Sequence, residues 1–142
     1  MKYEFLKVFA DNKSIGQAYE RCASAESMSD PKDCILRYYD LLICVIKGVY
    51  KTENLEAPII HNPGVHAICT DADYMHVDSP FAAWLQNDEA LAFCQELRKL
   101  RNNIVHCEGE YGASKADAIN VGEQLELILE LICSKIKLSV LE

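Results

Sequence analysis

Residues 29–50, SDPKDCILRYYDLLICVIKGVY, decide the fold. The first five are a helix start. Asp30 caps, Pro31 suits the first helical position, and Asp33 favours the positive end of the helix dipole. Ile35, Tyr39, Leu42, Ile46 and Val49 then recur at helical spacing. Leu36, Tyr38, Ile43 and Val45 widen this stripe until it nearly encircles the helix. A helix apolar on nearly all sides belongs in the middle of a bundle, because every face needs a partner.

Working outward, Lys2 to about Met28 reads as a first helix with a break near Asp11-Asn12 or at Gly16. From Thr52 to about Pro80 the periodicity is lost among Pro58, Pro63, Gly64 and Pro80. This stretch is expected to be an irregular loop with one or two short helical turns, one beginning at Phe81-Ala82-Ala83-Trp84-Leu85. Asn87 or Asp88 opens a helix to about Cys107. Ser114-Lys115-Ala116-Asp117 then resembles a capping box, with Asp in place of Glu, and starts a last helix reaching nearly to Leu138. In that helix Val121, Leu125, Ile128, Ile132 and Ile136 make the main stripe. Leu127, Leu129 and Leu131 add apolar surface on other faces, which calls for a second packing partner such as another copy of the chain. The expectation is one all-α domain over residues 1–142, a four- to five-helix up-and-down bundle with an irregular loop at about 52–80.

With 50% apolar and 25% charged residues, the 142-residue chain is of globular rather than disordered composition. The N-terminal segment has no signal-peptide core, and the most apolar run, Leu125 to Ile132, is short and broken by Glu126 and Glu130, so a soluble cytoplasmic protein is expected. The seven cysteines (22, 34, 44, 69, 94, 107 and 133) form no C-x-x-C pair and fall mostly in apolar periodic stretches. They read as small core hydrophobes kept reduced. His61, His66, Cys69, Asp71, Asp73 and His76 invite a metal reading, yet their spacing fits no compact zinc site, and no metal or cofactor is expected. Phosphate loops, dinucleotide fingerprints and Ser-His-Asp signatures are absent from the sequence.

The chemistry-bearing stretch is Arg101-Asn102-Asn103-Ile104-Val105-His106. On a wheel of about 100° per residue, Phe93, Leu97, Leu100 and Ile104 share one sector, expected to face the core. Arg98, Asn102 and His106 line another, with Arg101 beside them. A net charge of −8 argues against bulk electrostatic binding of nucleic acid, but Arg98, Lys99 and Arg101 are the densest basic cluster in the chain. In an RNA-cleaving reading His106 transfers protons at the ribose 2′-hydroxyl or the leaving 5′-oxygen. Arg101 holds the phosphate, Asn102 fixes the imidazole or the phosphate, and Arg98, Lys99 and Asn103 bind substrate. Five residues separate Arg101 from His106 by about 140° on a regular helix, so they do not face each other. Either a loosened last turn or a two-fold dimer would unite them.

At Arg101-Asn102 and His106 the chain resembles the HEPN superfamily, whose signature is Arg, four to six residues, then His, often with Asn directly after the Arg. The all-helical layout, with the motif before the final long helix, is similar too. The resemblance implies a metal-independent endoribonuclease that leaves a cyclic phosphate and joins two motifs in one cleft of a homodimer. It further implies toxin–antitoxin or antiviral defence, with a nucleotidyltransferase-type antitoxin or another regulatory protein as partner, and no membrane. Where the toxin branch carries Tyr two residues after the His, this chain has Glu108, and Tyr111 is nearest. The alternative reading is a catalytically inactive helical module that dimerises or docks to a larger partner.

Overall fold

The computed structural model describes residues 4–58, 69–106 and 113–141. The described residues are helical, without a strand: a 3₁₀ turn at Glu4–Phe9, then α1 (Lys13–Met28), α2 (Pro31–Thr52), α3 (Asp71–Tyr74), α4 (Pro80–Leu85), α5 (Asp88–His106) and α6 (Lys115–Leu141). Four of these are long. The two short ones, α3 and α4, occupy the stretch that lacks sequence periodicity. The break in the first segment falls at Asp11-Asn12, where the Asn12 side chain accepts from the Ile15 N–H at 3.1 Å, and Gly16 lies inside α1. Asp30 caps α2 through the Lys32 and Asp33 N–H groups, with Pro31 in the first turn. Asn87 accepts from the Ala90 N–H at 2.9 Å and opens α5. Ser114 and Asp117 exchange the two hydrogen bonds of a capping box, at 3.0 and 3.1 Å.

α2 is the central element, packed against α1, α6 and α5 and touching α3 and α4. Its residues Ile35, Leu41, Leu42, Val45, Ile46 and Val49 are wholly removed from solvent. α1 closes one side with Ile15, Ala18, Cys22 and Ala25. Two glycines set how closely the layers approach: a Cβ on Gly48 would lie 2.9 Å from Ile15 Cδ1, and one on Gly122 would lie 2.9 Å from the Tyr38 hydroxyl. The buried face of α6 is Leu125, Leu129, Ile132, Cys133 and Ile136, while Val121 and Ile128 of the expected stripe are half-buried. That rotation follows from α6 packing on α2 and the 3₁₀ turn with its Gly122 side, which turns Val121 and Ile128 toward the flank.

The segment after residue 68 is tied down by polar contacts. The Tyr50 hydroxyl donates to the Tyr74 carbonyl at 2.9 Å and accepts from the Phe81 N–H at 3.2 Å. Gln95 of α5 donates to the Met75 carbonyl at 3.0 Å. Lys135 of α6 caps the end of α4, donating to the Trp84 and Leu85 carbonyls at 2.8 and 2.7 Å, with its ammonium 5.4 Å from the Trp84 ring. These bonds satisfy backbone groups that the short helices leave open. They also hold α3 against α2 and α5. Cys22, Cys34, Cys94 and Cys133 are buried in the core, as their apolar settings imply, and Cys107 lies outside the described residues. Among the described residues no helix is long and apolar enough to cross a membrane.

Candidate functional site

α5 turns its Ala90, Leu91, Cys94 and Leu97 into the core. Phe93, Leu100 and Ile104, expected to face inward with Leu97, are half-buried and pack against the edge of the core. The wheel explains the difference. Arg101 lies seven residues beyond Cys94 and four beyond Leu97, so it continues the buried stripe by one more turn instead of standing on the solvent side. Arg101, itself half-buried, thus carries a guanidinium toward α2 near the end of that stripe.

That guanidinium has a prepared seat. Its carbon lies 5.4 Å from the centroid of the Tyr39 ring, within the range of cation–π attraction. Its Nη1 donates to the Asn102 side-chain oxygen at 3.0 Å, so Asn102, expected to fix the imidazole or the phosphate, holds the arginine here. The Tyr39 hydroxyl donates to Asp71 Oδ2 of α3 at 3.0 Å, and Lys47 lies 3.6 Å from Oδ1 of the same carboxylate. Burial keeps the Tyr39 hydroxyl protonated well above the usual tyrosine range. The Asp71 charge adds to that effect, and Arg98 and Arg101 partly oppose it. The Arg98 charge is thus also felt at this hydroxyl. Among the described residues neither Arg98 nor Arg101 has a carboxylate oxygen within 4.0 Å. Two half-buried cations with no carboxylate oxygen within 4.0 Å among the described residues, one of them held by Asn102, make a place where an oxyanion gains charge-assisted hydrogen bonds.

The remaining residues of the motif point elsewhere. α5 is continuous helix to His106, so the loosened last turn that would bring His106 back toward Arg101 is not formed in this chain. The two residues stay about 140° apart around the axis and about 7.5 Å apart along it. His106 is exposed at the end of the helix. Lys99 is exposed and pairs with Glu96 at 3.3 Å. Lys99 and Asn103 line a groove between α5 and α6 with Phe93, Leu97, Leu100 and Val121. The six residues singled out in the sequence thus divide: Arg98, Arg101 and Asn102 beside α2 and α3, Lys99 and Asn103 in the α6 groove, and His106 alone at the tip.

Two site-lining residues escaped the sequence. Tyr39 reads as a core residue, and Asp71 as one of several loop acids. A clue lay in Tyr39 itself, since a buried tyrosine hydroxyl needs a partner. The partner, 32 residues away, is brought by the fold. Of the loop's metal candidates, Asp71 serves Tyr39, Asp73 accepts from the Thr70 N–H at 2.8 Å, and His76 Nδ1 accepts from the Asp78 N–H at 3.1 Å. No group of three or more such side chains among the described residues is placed to hold a metal ion, and His61, His66, Glu108, Glu110 and Tyr111 lie outside those residues. Comparison with known families, curated proteins and solved structures finds no match for this chain. The HEPN resemblance rests on Arg101-Asn102, His106 and the order of the helices.

Proposed function

We propose that the protein is a metal-independent endoribonuclease of HEPN type, acting as a homodimer on RNA. The observation that carries this reading is Arg101: a cation continuing a buried stripe, oriented by Tyr39 and Asn102 and without a counter-carboxylate among the described residues. Such a guanidinium binds one phosphate of the backbone and stabilises charge that builds on its oxygens as the 2′-hydroxyl attacks. Arg98 adds a second positive charge on the same side. The attack forms a bond from O2′ to phosphorus and expels the 5′-oxygen, leaving a 2′,3′-cyclic phosphate. His106 takes the 2′-hydroxyl proton or supplies one to the leaving oxygen. No step calls for a cofactor.

A single chain keeps the two groups apart, so a partner copy supplies the imidazole to the first chain's arginine. Leu127 (66% exposed) and the half-buried Val121, Ile128 and Leu131 offer apolar surface for that association. The reading extends, on the resemblance alone, to a toxin–antitoxin or antiviral role with a nucleotidyltransferase-type antitoxin or another regulatory protein. The test is RNA cleavage in the presence of chelator by wild type, Arg101→Ala and His106→Ala. Cleavage should persist in chelator and fall by about 10²- to 10⁴-fold in each variant. A folded dimer that cuts no RNA would sink the reading.

The α5–α6 groove favours a second reading, a catalytically inactive helical module that binds a protein partner. Its half-buried Phe93, Leu100 and Val121 are rimmed by Glu96, Lys99 and Gln124. The net charge of −8 supports it as well.

A further inference from the structure

Resting on the ribonuclease reading, the geometry points to Tyr39 as the positioning residue for Arg101, with Asp71 fixing the tyrosine and Lys47 neutralising Asp71. Arginine has many rotamers, and a phosphate that must first order one binds more weakly. Here the ordering is already done. The guanidinium carbon lies over the Tyr39 ring at 5.4 Å from its centroid, and a cation held on a ring face keeps its N–H donors for other partners. Asn102 takes one donor and sets the rotation about that face. The ring cannot swing, because its body is buried (2% exposed) and its hydroxyl is held by Asp71 at 3.0 Å.

Asp71 solves one problem and creates another. Its carboxylate, bonded to the Tyr39 hydroxyl, brings negative charge to the same ring that Arg101 sits over. Its oxygens are already engaged, one by Tyr39 and the other by Lys47, whose ammonium also sits 5.3 Å from the Tyr74 ring. Asp71 begins α3, in the segment bound to α2 through Tyr50 and to α5 through Gln95. α3, from a stretch without sequence periodicity, thereby acts on the site through one tyrosine.

Two measurements on the full chain test this. The first follows the side-chain Nε–H resonance of Arg101 in free ¹⁵N-labelled protein, comparing wild type with Tyr39→Phe, Tyr39→Leu and Asp71→Ala. Asp71→Ala alters a partly exposed side chain, so it keeps the test alive if Tyr39→Leu folds poorly. The second measures binding of a 2′-O-methyl oligoribonucleotide, which lacks the attacking hydroxyl, together with kcat and KM on cleavable RNA. Stacking should shift the wild-type resonance upfield. Tyr39→Phe, which keeps the ring but loses the bond to Asp71, and Asp71→Ala should each reduce that shift, and Tyr39→Leu should abolish it. Oligonucleotide binding should weaken roughly fivefold to tenfold in Tyr39→Leu and about twofold in Asp71→Ala. A merely structural tyrosine would lower the melting temperature without moving the resonance. RNA binding that needs Arg101 but is the same in wild type, Tyr39→Leu and Asp71→Ala overturns the positioning role and leaves the ribonuclease reading standing. A wild type whose resonance depends on Tyr39 but which binds no RNA overturns the ribonuclease reading, and the phosphate role with it.

Discussion

Arg101 shows how much a single residue's rotation about its helix decides. Placed on the solvent side, it would be one more surface cation with several rotamers. One turn beyond Leu97 on the inward stripe, it meets the face of Tyr39 and is held. The same burial governs the thiols. Removal from solvent pushes Cys22, Cys94 and Cys133 up to about 12, because the low-dielectric core disfavours a thiolate. A raised value means less thiolate at any working pH. At pH 8 about one such thiol in ten thousand is ionised, against roughly a quarter of free cysteine. Native protein treated with iodoacetamide at pH 8 should keep these three unmodified by peptide mass spectrometry, and denaturant should expose them to reaction. Alkylation of Cys94 in the folded protein would show that the α2–α5 interface opens.

At the scale of the element, caps and close approaches decide where helices start and how they meet. Asn12, Asp30, Ser79 and Asn87 each accept a backbone N–H at a helix start. Each of these starts is local chemistry; Asp30 is readable as a cap and Asn87 as a helix start, whereas Asn12 marks only a break and Ser79 gives no clear signal. Glycines divide by neighbourhood. A Cβ on Gly16 of α1 meets nothing within 4 Å, whereas one on Gly48 of α2 meets Ile15 at 2.9 Å and Phe9 at 3.1 Å. Gly16→Ala should therefore stabilise the fold by about 0.5–1 kcal/mol through helix propensity. Gly48→Ala should lose that gain to overpacking of about 1–3 kcal/mol. Urea midpoints of the two variants check this; a Gly48→Ala more stable than Gly16→Ala would mean that α1 sits less tightly on α2 than its contacts imply.

Over the whole molecule, the proposed ribonuclease reading turns on where Arg101 would find its imidazole. If the site is shared between copies, mixing inactive Arg101→Ala with inactive His106→Ala restores one intact site in each mixed dimer. An equal mixture should recover about a quarter of wild-type cleavage, from random pairing of the two chains. No recovery after confirmed subunit exchange would confine each site to one chain. The sequence by itself determined the long helices, the Asp30 cap, the Ser114–Asp117 capping box and the central position of α2, because periodicity and capping act over a few residues. It also marked Arg101, Asn102 and His106, since those side chains carry their chemistry wherever they stand. Only the tertiary structure decided that α5 is turned so that Arg101 faces inward and Lys99 outward, and that Asp71 reaches Tyr39 across 32 residues of chain. The rotation of a helix in a bundle is set by the surfaces packed against it. No local pattern encodes those surfaces, and half-buried Phe93, Leu100 and Ile104 made a second inward face equally plausible on the wheel.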